Sequence, residues 1–180
     1  MPHPVSLPDS LEALERSGRA VVEFFSSLPE PAFFEGDSDH WSPAHHVVHL
    51  TRASVAVEKA LRSHELPPHP TGTSRTFAEV RDAAATTLAA TPKDRLLERG
   101  RTVVLPDGAT QAEIVGAFAS ASAAAREAAA TWSEEALDRQ AIPHPLLGQL
   151  TVREMLHFFV VHEWHHLKGV RSRMENAPSS

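Results

Sequence analysis

Three histidines have the spacing expected of ligands to one metal ion. His162 and His166 are four residues apart in the segment H-E-W-H-H, and His49 lies far upstream in W-S-P-A-H-H-V-V-H-L. Residues four apart project from the same side of a helix, so the downstream pair can present two imidazoles in one direction. Neutral imidazole is a common ligand of divalent ions, and a third nitrogen would still leave coordination positions open. The pattern therefore predicts a catalytic metal site rather than a structural one.

The alternative for each of these histidines is a buried side chain that is hydrogen-bonded within the core. This explanation suits one histidine better than three, because several imidazoles in one apolar layer compete for the same donors and acceptors. A divalent ion about 2.0 to 2.1 Å from each nitrogen satisfies them together. Four other histidines are more typical of solvated residues, or of residues beside a site, than of ligands: His45, His46, His157 and His165.

The composition limits the kinds of chemistry that fit the chain. The sequence has no cysteine, which excludes disulfides, thiolate ligands and a protein thiol nucleophile, so thiol chemistry would need an external thiol. A chain of 180 residues, 42% of them hydrophobic, suffices for one full core. We expect a single domain over residues 1–180, with flexible ends at 1–8 and 176–180.

The charge and hydropathy patterns limit the partners and the compartment. The net charge is −6, and no run of basic residues alternates with aromatic ones, so nucleic acid is not an expected partner. Neither an apolar stretch of about 18 residues nor a secretory leader is visible, which argues against a membrane partner. The cytoplasm is the expected location.

Helical periodicity and capping pairs predict an all-α protein, a four-helix bundle with one additional short helix between helices 2 and 3. Ser or Thr followed by Glu three residues later is a common start of a helix, and Pro43 after Ser42 is another. The predicted bundle helices run over about 9–28, 42–64, 110–132 and 151–174, and the additional helix over 76–91. Asp9 with Glu12 is the predicted capping box of the first helix. A short helix near Lys93 to Arg99 and an extended piece at 103–105 are predicted in the remaining segment.

Helical wheels place the three histidines on buried faces. In the second helix the predicted buried stripe consists of His49, Leu50, Ala53, Ala56, Val57, Ala60 and Leu61. In the last helix it consists of Met155, Phe159, His162, His166, Gly169 and Val170, with Arg153, His157, Trp164, Lys168 and Arg171 on the other side. Facing helices of a bundle are a usual source of metal ligands.

Two separated motifs resemble a known family. W-S-P-A-H-H-V-V-H, from Trp41 to His49, resembles the start of the second helix in the DinB-like, or damage-inducible, four-helix metalloproteins. H-P-L-L-G-Q-L-T-V-R-E-M-L followed by H-E-W-H-H resembles the final loop and helix of that family. The two motifs agree in order and place, whereas residues 63–108 carry no match. The chain departs from the common pattern at His45 and His46 and at Lys168 and Gly169, which leaves the substrate open.

The resemblance implies a ligand set and a general activity. By position, the metal ligands would be His49, His162 and His166, and the divalent ion would be Zn²⁺ or Ni²⁺. Members are often homodimers, and related enzymes are transferases or isomerases that use bacillithiol, mycothiol or glutathione. The expected partners are therefore a small-molecule substrate, a low-molecular-weight thiol and a second copy of the chain.

The leading interpretation is a metal-dependent enzyme, either a thiol-dependent transferase or another detoxifying enzyme. Beside the metal we expect His165 as a proton carrier, Glu163 as a group that orients an imidazole, and Trp41 as a packing wall. A zincin protease is not expected, because no third ligand follows the histidine pair nearby. A metal-dependent hydrolase and a non-enzymatic metal-binding stress protein remain open alternatives.

Overall fold

Long amphipathic helices make up most of the structure, a computed structural model that describes residues 4–36, 40–92 and 102–176. In these ranges the elements are, in chain order, α1 (Leu7–Ser26), α2 (Glu30–Phe34), α3 (Pro43–Ser63), α4 (Phe77–Ala90), α5 (Gln111–Ala130), α6 (Glu134–Arg139), β1 (Ala141–His144), β2 (Gly148–Thr151) and α7 (Val152–Glu175). The predicted all-α class is confirmed. The four bundle helices are α1, α3, α5 and α7, and α4 is the additional helix between the second and the third.

The bundle helices pack in the order α3, α5, α1, α7, and α4 packs against α7. The buried face of α5 carries small residues at Ala121, Ala125, Ala128 and Ala129, so its neighbours approach closely. At Gly18 of α1 an added Cβ would lie 2.8 Å from the hydroxyl of a serine on α5. In contrast, α3 and α7 approach each other little, and a gap remains between them.

Side-chain caps fix where the helices begin. The capping boxes predicted at Thr76, Thr110 and Thr151 are all present, each with a glutamate three residues on. The box predicted for the first helix is wrong. The Ser6 hydroxyl accepts from the backbone of Asp9 and the Asp9 carboxylate accepts from the backbone of Ser6, so α1 begins at Leu7. Leu7 is itself buried, within the segment 1–8 that we expected to be a flexible end.

The segment before α7 contains more structure than the expected loop. The helix α6 leads into a hairpin in which β1 pairs antiparallel with β2, with Ile142 opposite Leu150. The link after α3 lies beside this hairpin, because the Ala141 amide donates to the carbonyl of Pro67 at 2.8 Å. The predicted helix near Lys93 to Arg99 lies outside the described residues, and no strand is assigned at the predicted extended piece, 103–105.

Buried side chains form two apolar clusters along the bundle, with a polar layer between them. One cluster includes Leu14, Leu61 and Phe159, and the other includes Phe25, Phe118 and Leu167. The polar layer consists of Ser17 of α1 and Glu163 of α7, which are buried and hydrogen-bonded to each other. Within the described ranges, none of the helices combines the length and apolar character that crossing a membrane requires.

The N-terminal turn of α7 corrects the predicted helical wheel. Arg153 is buried rather than solvated, because its guanidinium donates to Asp138 and Glu134, at 2.7 Å each, and to the carbonyl of Val5 at 3.3 Å. These contacts tie α7 to α6 and to the chain that precedes α1. At the other end of α7, Gly169 is exposed although the wheel placed it on the buried side.

We expect replacement of Arg153 by Met to destabilise the fold by about 2 to 3 kcal/mol, because two carboxylates and a carbonyl lose their shared donor. Urea denaturation at neutral pH measures this free energy of unfolding. The control is Arg171→Met, since Arg171 is exposed and lies over the Phe24 ring at 5.1 Å, an interaction worth about 0.5 to 1 kcal/mol. Equal losses in the two variants would contradict the structural role of Arg153.

Candidate functional site

Four imidazoles meet in the gap between α3 and α7. His46 and His49 come from the first two turns of α3, and His162 and His166 come from the middle of α7. Each pair is three or four residues apart, so both members of a pair project from one side of their helix. All four side chains are half-buried. The structure therefore brings together the three histidines identified from the sequence and adds a fourth.

The Nε2 atoms of three of these rings converge. The Nε2 atom of His162 lies 3.0 Å from that of His49 and 3.0 Å from that of His166. Two nitrogens that each lie about 2.1 Å from one ion can be at most about 4 Å apart, so these separations fit a shared ion. Among the described residues, this is the one group of three or more histidine or acidic side chains whose ligand atoms lie close enough together to share a metal ion.

Hydrogen bonding alone does not satisfy the three converging rings. A neutral imidazole nitrogen either carries one proton or offers one lone pair, so His162 Nε2 can form only one good hydrogen bond within its plane. It has two close nitrogen neighbours, His49 Nε2 and His166 Nε2. A cation between the three lone pairs removes this conflict, so the three histidines fit a bound divalent ion.

The electrostatic environment keeps these rings neutral. Burial lowers the pKa of His49, and it lowers the pKa values of His162 and His166 well below the usual histidine range. The neighbouring imidazoles lower the pKa values of the last two further, because two positive rings so close would repel each other. The unprotonated ring is the form that binds a metal.

His46 is the site residue whose position the sequence analysis missed. Its Nδ1 atom lies 2.8 Å from the Nδ1 atom of His166, on the side of the His166 ring that faces away from His162. Burial, followed by the positive charge of Arg173, lowers the pKa of His46 to about 3. The sequence did contain a signal for His46, because it lies three residues before His49 and both rings therefore project from one face of α3.

Trp41 lies against the cluster. The centroid of its ring system is 5.2 Å from the centroids of His46 and His49 and 6.2 Å from that of His166. Ser42 caps α3 immediately after this residue and is fully buried. The backbone at Gly36 passes so close to α3 that an added Cβ would be 2.7 Å from the Ser42 nitrogen. A side chain at position 36 would therefore force this backbone away from the start of α3.

Glu163 does not face the cluster, which corrects the expectation that it orients an imidazole. Its carboxylate accepts a hydrogen bond from Ser17 of α1, and burial raises its pKa to about 7. Consecutive helical residues point about 100° apart, so His162 and Glu163 face different neighbours. The segment from His162 to His166 also has the H-E-x-x-H spacing of zincin proteases, but here the glutamate is not placed to act as a general base.

Two more of the histidines singled out from the sequence lie in different places. His165 is exposed and lines the mouth of the gap, with its ring centroid 5.3 Å from that of His166. His157 is 2% exposed, beside the ring of Phe77. Neither ring nitrogen of His157 has a hydrogen-bond partner among the described residues. His157 is thus a buried histidine outside the cluster, and not a solvated one.

The cluster opens into a cavity of about 970 Å³ between α3, α4, α7 and the hairpin. The stripe on α3 that was predicted to be buried divides here. Val57 and Leu61 enter the core, whereas Ala53, Ala56 and Ala60 border the cavity, and Ala56 is exposed. These small side chains leave the space open, and the histidines form one wall of it.

Comparisons with known proteins identify the family. The sequence model of the DinB superfamily matches residues 13–169, most of the chain, so the chain belongs to the DinB superfamily. Neither a curated protein nor a solved structure matches the chain.

The buried His157 predicts a pH dependence of stability that is separate from the cluster. Burial, aided by the charge of Arg153, lowers its pKa from 6.5 to about 4. As the pH falls below 6.5 the unfolded chain takes up a proton that the folded chain refuses, so stability is lost between pH 6.5 and 4. At pH 5 this loss amounts to about 2 kcal/mol.

From pH 7.5 to pH 5, we therefore expect the free energy of unfolding to fall by about 2 kcal/mol less in His157→Phe than in the parent. Urea denaturation of metal-free protein at both pH values measures the difference. The variant His69→Ala serves as the control, because His69 lies on the link outside the helices and its substitution should leave the pH dependence of the parent intact. A parent-like pH dependence in His157→Phe would contradict this assignment.

Proposed function

We propose that this member of the DinB superfamily is a metal-dependent enzyme whose His49, His162 and His166 hold one divalent ion, and that it transfers a small thiol to an electrophile. The observation that carries the proposal is the convergence of three Nε2 atoms at one end of a large cavity. Zn²⁺ and Ni²⁺ are the ions proposed, since both accept three imidazoles. A divalent ion held in this way lowers the pKa of a thiol or water molecule at an open position.

Side chains around the histidine cluster enclose it and would position the reactants. Trp41 and Phe158 cover the cluster, Phe158 by stacking on the ring of His162 at a centroid distance of 5.3 Å. His165 lies at the mouth of the cavity, where a proton carrier would have access both to the reactants and to solvent. We propose this role for His165.

The cavity favours a transferase over a hydrolase. Its volume of about 970 Å³ lies at the upper end of the range for sites that bind drug-sized molecules, which leaves room for a thiol and a second substrate together. A water nucleophile needs far less space. The chain has no cysteine, so the thiol would be an external co-substrate, and a low-molecular-weight cellular thiol fits the space.

The first test of this proposal is metal uptake. After loading with Zn²⁺ or Ni²⁺ and desalting, the parent protein should hold about one ion per chain by elemental analysis. His162→Ala should hold almost none, because His162 Nε2 is the atom that lies between the other two nitrogens. The control His69→Ala removes a histidine that does not line the cavity and should bind as the parent does. Full uptake by His162→Ala would refute the ligand set.

The second test is turnover by the metal-loaded protein with a panel of electrophiles, with and without bacillithiol, mycothiol or glutathione. Thiol-dependent loss of the electrophile, absent from His162→Ala, is the expected result. Turnover without thiol would instead identify a hydrolase. A stoichiometric ion without turnover of any kind would favour a non-enzymatic metal-binding stress protein.

We further propose that His46 orients His166. If His166 binds the ion through Nε2, its proton is on Nδ1 and can be donated to Nδ1 of His46 at 2.8 Å. Loss of such a hydrogen bond to a metal-binding histidine typically weakens metal affinity about 10-fold to 100-fold. We expect His46→Leu to weaken affinity by this amount, as measured by competition with a chromophoric chelator.

Two further variants test whether the hydrogen bond is responsible. His46→Gln retains an acceptor and should recover much of the affinity that His46→Leu loses. His45→Leu is the matched control, since the neighbouring His45 ring bonds Ser42 at 2.7 Å and not His166. If His45→Leu weakens affinity as much as His46→Leu, the effect comes from α3 as a whole, and the proposed role of His46 is wrong.

A further inference from the structure

The cavity has an apolar side and a positively charged rim. Away from the histidines its walls are mainly Ala, Val, Leu, Met and Phe side chains of α3, α4 and α7, together with residues of the hairpin turn. Three arginines lie on its border, Arg52 of α3, Arg81 of α4 and Arg173 of α7. Among the residues that the structure describes, no aspartate or glutamate lines the cavity. This is notable in a chain with a net charge of −6.

Two of these arginines lack a carboxylate partner among the residues that the structure describes. Arg81 pairs with Asp82 at 2.8 Å. In the described part of the chain, Arg52 and Arg173 instead donate only to backbone carbonyls, Arg52 to Thr102 at 2.7 Å and Arg173 to Trp41 at 2.8 Å. A carbonyl fixes a guanidinium in place but leaves its positive charge uncompensated.

Arg173 is the better placed of the two for a ligand near the cluster. Its side chain is half-buried, whereas Arg52 is exposed. Its carbonyl partner belongs to Trp41, the residue that covers the histidines, and its charge acts on His46. One N–H of its guanidinium is used by that carbonyl, so further donors remain for an anion. This positive charge, which no described carboxylate offsets, thus lies where the apolar cavity meets the histidine cluster.

We propose that the cavity binds an apolar carboxylate, whose alkyl or aryl body lies between α3, α4 and α7 and whose carboxylate is held by Arg173. This proposal names a substrate class for the same site. It rests on the proposed function for the reaction that the carboxylate would undergo. The apolar walls bury the body, and the guanidinium supplies the charge-assisted hydrogen bonds. Ala56, with only a methyl group, leaves the space that the body occupies.

The experiment compares ligands that differ only in charge. Anilinonaphthalene sulfonate serves as a fluorescent probe of the full-length protein, and octanoate and octanol compete with it. The carboxylate should displace the probe at a concentration about 10-fold lower than the alcohol does, because only the carboxylate can engage the guanidinium. Equal potency of octanoate and octanol would overturn the proposal without recourse to any variant.

Paired variants locate the two parts of the ligand. Arg173→Gln should remove most of the preference for octanoate, while Arg171→Gln, a change of equal charge on the same helix outside the cavity, should keep it. Ala56→Phe should weaken both competitors at least 10-fold by filling the cavity. Val55→Phe places the same ring on an exposed neighbour outside the cavity and should not weaken them.

Repeating the titration after treatment with a chelator separates this proposal from the metal-dependent function. A preference for octanoate that persists without metal, and is lost in Arg173→Gln, supports the cavity site even if no ion binds. If the preference for octanoate disappears when the metal is removed but survives in Arg173→Gln, the ion binds the carboxylate. That result would overturn the proposal. The proposal also fails if neither the probe nor octanoate binds.

Discussion

The rest of the site depends on one constraint, which is that three imidazoles converge in a space too small for hydrogen bonds to satisfy all of them. His162 Nε2 has two nitrogen neighbours at 3.0 Å, and His166 contacts a further ring through its other nitrogen. Burial makes protonation unfavourable, so positive charge on the rings does not resolve the conflict. The fold must therefore hold this group by packing from outside, and the helices around it provide that packing.

The packing order of the helices explains how such a group can persist. α3 and α7 carry the histidines but hardly contact each other, and they are joined through α5 and α1. The distance across the gap is thus set by well-packed interfaces elsewhere, including the close approach at Gly18. The same separation that prevents the histidine helices from collapsing together also produces the cavity. Site and cavity are two consequences of one arrangement.

The sequence predicted those features that depend on local rules. Capping boxes and periodicity located the long helices, and the spacing of His49, His162 and His166 identified rings that do converge. Helical wheels predicted burial wrongly where a helix face packs against something other than the apolar core. Arg153 is buried by ion pairs, and Ala56 borders a cavity although the wheel placed it on the buried stripe. Such outcomes depend on residues distant in sequence, which a single wheel does not contain.

Glu163 shows the same limit within the site. Its place next to His162 in the sequence suggested a role beside the ligands, yet it extends the buried polar layer toward Ser17. The contact that His166 does make, with His46, joins residues 120 positions apart. Neighbours along a helix diverge by about 100°, so sequence adjacency is a poor guide to contact at a site formed between helices.

The charge balance links the proposed metal to the proposed ligand. Three neutral imidazoles leave both positive charges of a divalent ion uncompensated, unlike sites in which a carboxylate is a ligand. Arg173 adds a further positive charge, and no described acidic residue lines the cavity to offset it. Coulomb interactions are strong where apolar walls exclude water, so anions are the species that such a site favours. A thiol that must ionise and a substrate that carries a carboxylate would both be stabilised by the same uncompensated charge.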